Sequence, residues 1–232
     1  MIMKTVHITT KKAKLFYGLI GLLCAALFIG ASPYIPTFTA AKIYLKTLHS
    51  EDFSHTFYCD IPFDAKGVTL HCPEGWSAED CRLEWDHVVP ASFLAKNMPC
   101  WASDTCPLHP KWSHRQCCQE TSVEFSFREA NIANIMPSLR KINREKSNFL
   151  PGKVRDSSRV KTLCGMKIDP RKRIFEPDDH RKGWIARIYL SMDAQYHLPL
   201  TADQKKLLRD WDRQFPMSGD EKRHYEILKL SS

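Results

Sequence analysis

The run Leu83-Glu84-Trp85-Asp86-His87-Val88-Val89-Pro90-Ala91 sets an acid directly before a histidine, between apolar residues. In an extended chain, successive side chains point to opposite faces. Asp86 and His87 can therefore meet at one atom only where the strand twists or bulges. They can still flank a phosphodiester, the carboxylate holding a hard cation while the imidazole takes the proton of an attacking water. Histidine suits that second task because its ordinary pKa lies near neutrality. Spacing alone does not separate this reading from an ordinary hydrogen-bonded Asp–His pair.

The elements that must position such a pair are short and mixed. Residues 38–49 carry apolar side chains at helical spacing, with Thr39 as a cap. Residues 53–90 are broken by Pro, Gly and Asp and read as strands and turns. Residues 97–122 are dense in Cys, Pro, His and Trp and read as a stapled loop. Residues 125–149 contain helix in at least one part, and 151–182 are polar, basic and turn-rich. Two amphipathic helices close the chain. Asp178 or Asp179 caps the first, with Trp184, Ile185, Ile188, Tyr189 and Met192 on one face. Thr201 and Gln204 form the capping box of the second, which carries Leu207, Leu208 and Trp211 and stops before Pro216. Helices mixed with short strands make an α+β domain.

The first thirty residues differ from the rest. Lys4, Lys11, Lys12 and Lys14 precede an apolar stretch from Leu15 to Ala31, with small residues at its end. That order predicts a secretory signal peptide over 1–31, or else an N-terminal membrane anchor. In both cases residues 32–232 are exported and lie in the periplasm or outside the cell. Without 1–31 the formal charge falls from +8 to +4, which suits a polyanionic partner but equally serves solubility. Cys24 lies in the export segment. Eight cysteines remain, and in an oxidising compartment an even number predicts up to four disulfides, of open connectivity. Cys100, Cys106, His109, His114, Cys117 and Cys118 leave a zinc site as the rival, although no paired CxxC spacing supports it.

The string EWDHVVPAS resembles the signature of the endonuclease I family, periplasmic and secreted nucleases of the ββα-metal (His-Me finger) group. Thr56-Phe57-Tyr58-Cys59, Cys100-Trp101, His114-Arg115-Gln116-Cys117-Cys118 and Asn134-Ile135-Met136-Pro137 resemble further blocks of the family. So do Asn143-Arg144-Glu145-Lys146-Ser147-Asn148-Phe149 and Gly183-Trp184-Ile185-Ala186-Arg187. The resemblance implies a mixed α/β single domain, disulfide-stapled, with His87 on a strand and Asn143 on the helix of a ββα-metal finger. It makes His87 the general base, and Asp86 and Asn143 the ligands of Mg2+ or another divalent cation. Arg115 becomes the contact to the scissile phosphate, with Glu129 a further acid near the site. The implied substrate is DNA, with RNA open, and the product carries a 5′-phosphate. No stable protein partner is implied, so the expectation is a monomer. Read without the family, Asn143 is as well a helix cap, Arg115 a solvated arginine and Glu129 a surface acid.

Basic residues cluster over 140–182, and Arg144, Lys146, Arg181 and Lys182 are candidates to grip the nucleic-acid backbone without reading sequence. Some positions depart from the family pattern. Asp86 stands where the family has Glu, Arg144-Glu145-Lys146 where it has Gly-Asp-Arg, and Ala133 where it often has His. The family also continues past the region of Asp220-Glu221-Lys222-Arg223 with a Gly/Asn/Pro-rich tail and a last cysteine. These departures keep a second reading open, a catalytically decayed nucleic-acid-binding protein on the same fold.

Overall fold

A computed structural model describes residues 35–51, 55–102 and 106–230. Residues Ile35–Leu228 form one compact unit. The expected export segment lies outside the described residues. Among those residues no helix is long and apolar enough to cross a membrane.

The long helix α1 (Phe38–Glu51) begins where the periodicity places it. Its cap is Thr37 rather than Thr39, since Thr37 Oγ1 accepts from the Ala40 amide at 3.2 Å. The signature string forms β1 (Leu83–His87). Short helices α2 (Ala91–Leu94) and α3 (Pro99–Ala102) follow, then α4 (His114–Thr121) and α5 (Val123–Glu129). Next come β2 (Ile135–Leu139) and α6 (Arg140–Lys146). β1 and β2 pair antiparallel, Leu83 opposite Leu139 and His87 opposite Ile135, and α6 contacts both strands. The result is a strand–strand–helix unit with a long excursion between its strands.

The turn-rich stretch after α6 is more ordered than its sequence predicts. β3 (Leu150–Pro151), β4 (Lys161–Leu163), β5 (Met166–Asp169) and β6 (Ile174–Glu176) form a sheet of order β3-β6-β5-β4. Only β3–β6 is parallel. Strands of two to four residues are too short for a period of two to show.

The last helices are α7 (Asp179–Tyr196), α8 (Ala202–Gln214) and α9 (Gly219–Leu230). Asp178 caps α7 by accepting from the His180 amide, and the Thr201–Gln204 capping box of α8 is present. The expected face of α7, Trp184, Ile185, Ile188, Tyr189 and Met192, is buried in the main core with Phe57, Met136, Leu139, Phe175 and Trp211.

All eight cysteines among the described residues are paired: Cys59–Cys164, Cys72–Cys81, Cys100–Cys118 and Cys106–Cys117. The zinc rival thus has no thiols to use. Residues expected to form one stapled loop instead hold α3 and α4, clamped together by Cys100–Cys118. Cys59–Cys164, at a separation of 105 residues, joins the segment before β1 to the four-stranded sheet.

Candidate active site

A cleft of about 400 Å³ opens at the C-terminal end of β1. Its wall includes Asp86, His87, Arg115 and Asn143, with Phe38 and Trp101 as aromatic neighbours. Four residues proposed from the sequence therefore converge, although they come from β1, α4 and α6.

His87 sits at the end of β1 and is 7 % exposed. Its Nε2 lies 2.7 Å from the backbone carbonyl of Glu129, at the end of α5. A carbonyl only accepts, so Nε2 carries the proton and the neutral ring keeps its lone pair on Nδ1. The helix end supplies that carbonyl because its last C=O groups have no partner within the helix. The Phe38 ring stacks 4.5 Å from the imidazole, tilted by 38°. Burial lowers the His87 pKa to about 3, aided by the nearby positive charges of Arg115, Lys146 and Lys42 and opposed by the Glu129 carbonyl. The imidazole is neutral at physiological pH. Beyond it the chain is pinned: Asn134 bonds both backbone groups of Val89, and Tyr189 donates to the Val88 carbonyl.

Arg115 lies in the first turn of α4, within the Ser113–Gln116 capping box. Its Nε donates to Glu129 Oε1 at 2.5 Å, and its guanidinium lies 5.2 Å over the Phe38 ring. Glu129 is 1 % exposed and also accepts from Gln119 at 2.8 Å. Both of its carboxylate oxygens are taken. Glu129 therefore serves the site twice, orienting His87 through its backbone and Arg115 through its side chain.

Asp86 turns away from the His87 ring, as strand alternation requires. It is 3 % exposed, and its Oδ2 accepts from Tyr58 Oη at 3.0 Å and faces Lys146 Nζ at 3.2 Å. Burial raises the Asp86 pKa, and Lys146 and Tyr58 pull it back. The same environment pushes the Tyr58 hydroxyl well above its ordinary range. Asn143 Nδ2 donates to Glu84 Oε2 at 2.9 Å. That bond directs the amide through its nitrogen and leaves Oδ1 as its acceptor.

The donor set suits a hard cation. Asp86 and Asn143 each keep an Oδ1 that takes no hydrogen bond from the described residues, and both line the cleft. One carboxylate and one amide oxygen leave most of a magnesium shell to water and phosphate, as that ion prefers.

The expected backbone grip needs correction. Arg144 is exposed. Lys146 is fully buried against Asp86 and the His87 carbonyl, where no phosphate reaches it. Arg181 is 4 % exposed, stacked over Phe57 and Trp184 and paired with Asp60. Lys182 is held by Glu176 at 2.8 Å and Asp179 at 2.6 Å. Packing has drawn three of the four inward, which a count of basic residues cannot reveal.

Sequence reasoning passed over Glu84, Tyr58, Phe38 and Ser147. Glu84 was legible, since it lies two residues before Asp86 and so shares its strand face. Phe38 carried no such signal. Ser147 lines the cleft with φ at 49°, ending α6 in a backbone region that favours glycine.

The endonuclease I family model matches residues 37–229. An extracellular deoxyribonuclease of Aeromonas hydrophila is 33 % identical over 223 residues, covering 90 % of this chain and 91 % of the relative. A periplasmic deoxyribonuclease of the same organism is 32 % identical over 204 residues, covering 84 % and 81 %. Endonuclease-1 of Buchnera aphidicola subsp. Acyrthosiphon pisum (strain APS) is 30 % identical over 192 residues, covering 79 % and 72 %. With the match spanning nearly every described residue and the cleft at its signature string, the chain belongs to the endonuclease I family and is a nuclease.

Proposed function

We propose that this chain is an exported, magnesium-dependent endonuclease that hydrolyses DNA with little sequence preference and leaves 5′-phosphate ends, RNA being a second substrate to test. The single observation carrying this reading is the pairing of His87 Nε2 with the Glu129 carbonyl in the cleft shared by Arg115 and Asn143. That bond leaves a neutral imidazole with its lone pair on Nδ1, the form a general base needs. The relatives, named extracellular and periplasmic deoxyribonucleases, support both the substrate and the compartment.

His87 Nδ1 accepts the proton of the attacking water. The Glu129 carbonyl and the Phe38 ring hold the imidazole against rotation while it does so. Arg115 contacts the scissile phosphate, its guanidinium anchored through Nε so that its terminal nitrogens can face the anion. Asp86 and Asn143 would hold the divalent cation through their free side-chain oxygens. When bound, that cation neutralises charge at phosphorus and on the departing oxygen. The site contacts backbone rather than base edges, so little sequence preference follows.

The test is digestion of plasmid and RNA by the purified, oxidised protein, with magnesium and with chelator. Cutting is expected only with magnesium. His87→Ala is expected to lower it by about a thousandfold or more while DNA affinity stays within about threefold. Wild-type protein that binds DNA and never nicks it would establish the decayed-nuclease reading instead.

A further inference from the structure

Among the described residues, Lys146 is the one cation buried beside the proposed metal ligands that the reaction itself does not use. Its side chain is fully buried, unusual for a lysine. Nζ lies 3.2 Å from Asp86 Oδ2, 3.1 Å from the His87 carbonyl and 3.4 Å from the Ser147 carbonyl. It sits 5.7 Å over the Phe175 ring. Tyr58 Oη supplies the second donor to the same carboxylate oxygen. One oxygen of Asp86 is therefore saturated from inside the protein, while the other takes no hydrogen bond from the described residues. Lys146 also spans the signature strand, bonding a backbone oxygen one residue beyond the carboxylate it neutralises.

We propose that Lys146 is a positioning residue, the internal counter-cation of Asp86, which aims that carboxylate in the metal-free protein and sets a low affinity for the divalent cation. The inference rests on the reading of Asp86 as a ligand. A buried carboxylate without a partner is costly, and a cation beside it removes that cost. With Lys146 in place the fold does not depend on metal. The same positive charge, a few ångströms from a dication sharing Asp86, opposes its binding, and low effective dielectric makes this repulsion substantial. The carboxylate can offer the ion one oxygen only. Affinity is left to be completed by substrate phosphate, so the cation is held firmly only when nucleic acid is present.

The test uses full-length oxidised protein without nucleic acid, titrated with MnCl2 and followed by the electron paramagnetic resonance of the free ion at pH 8.5. Lys146→Met keeps the volume and removes the charge. It is expected to bind Mn2+ at least about tenfold more tightly than wild type. Equal or weaker binding by that variant, with wild-type binding intact and lost in Asp86→Asn, overturns the role of Lys146 and leaves the nuclease reading standing. Mn2+ binding by neither wild type nor Lys146→Met, or an Asp86→Asn variant that binds it as well as wild type, removes the metal assignment and this proposal together. Thermal melting is the second readout. Wild type is expected to melt within about 2 °C in chelator and in about 1 mM Mn2+. Lys146→Met is expected to need Mn2+ to approach the wild-type melting temperature. A wild type that melts more than about 10 °C lower in chelator overturns the proposal, even if the variant does not fold.

Discussion

At the scale of single residues, the site is organised by Glu129, an acid that touches none of the reacting atoms. Its carbonyl sets the tautomer of His87 and its carboxylate anchors Arg115. Substitution separates the two jobs, because Glu129→Gln keeps the carbonyl and removes the charge. Cutting by Glu129→Gln is expected to fall about tenfold through loosened Arg115, with His87 still held. Steady-state digestion at saturating magnesium measures this, and wild-type rates would show that Arg115 needs no such anchor. Two departures from the family pattern, Asp86 for Glu and Lys146 for Arg, prove to be direct contacts of one another. A shorter acid is thus met from inside by the residue at the other altered position.

At the scale of elements, the strand–strand–helix unit depends on helices far from it in sequence. α7 holds the residue just after the signature strand, donating through Tyr189 to the Val88 carbonyl. α7 is itself tied to the end of the chain through Arg187, which bonds Asp212, Glu221 and the Phe215 carbonyl. Gly183 makes that approach possible. A Cβ there would sit 2.0 Å from the Phe215 carbonyl oxygen and 2.9 Å from an Arg187 guanidinium nitrogen. The backbone oxygen cannot yield as a side-chain tip would. Gly183→Ala is therefore expected to cost more than about 2 kcal/mol. Urea unfolding checks this, and a variant with wild-type stability would mean α8 shifts freely.

At the scale of the whole molecule, buried histidines couple stability to pH. His224 is 3 % exposed, and its ring lies 5.8 Å from that of His49, itself buried. Burial lowers the His224 pKa from 6.5 to about 3, with His49 adding to the effect. A folded-state pKa below the unfolded one means the unfolded chain binds the proton more readily. The contribution is therefore full above about pH 6.5 and is lost as pH falls from there toward 3. Denaturant unfolding at pH 7 and pH 5 should show the loss, about 1 kcal/mol per pH unit or less from this group. His224→Phe should flatten the slope, and an unchanged slope would place the pH sensitivity elsewhere.

Much of this was legible in the chain itself. Asp86-His87, the capping box at Thr201 and the apolar face of α7 are local patterns, set by strand and helix periods acting over a few residues. The even set of eight cysteines likewise announced disulfides but not their partners. What the tertiary structure alone decided is how distant side chains share charge and space. Asn143 reads as a cap or a ligand in the sequence, and only the packing of α6 on β1 brings it to Glu84, 59 residues away. Lys146 looked like a surface contact for phosphate until the same packing buried it. A lysine reads identically in sequence whether water or a carboxylate surrounds it, because burial depends on which elements close over it.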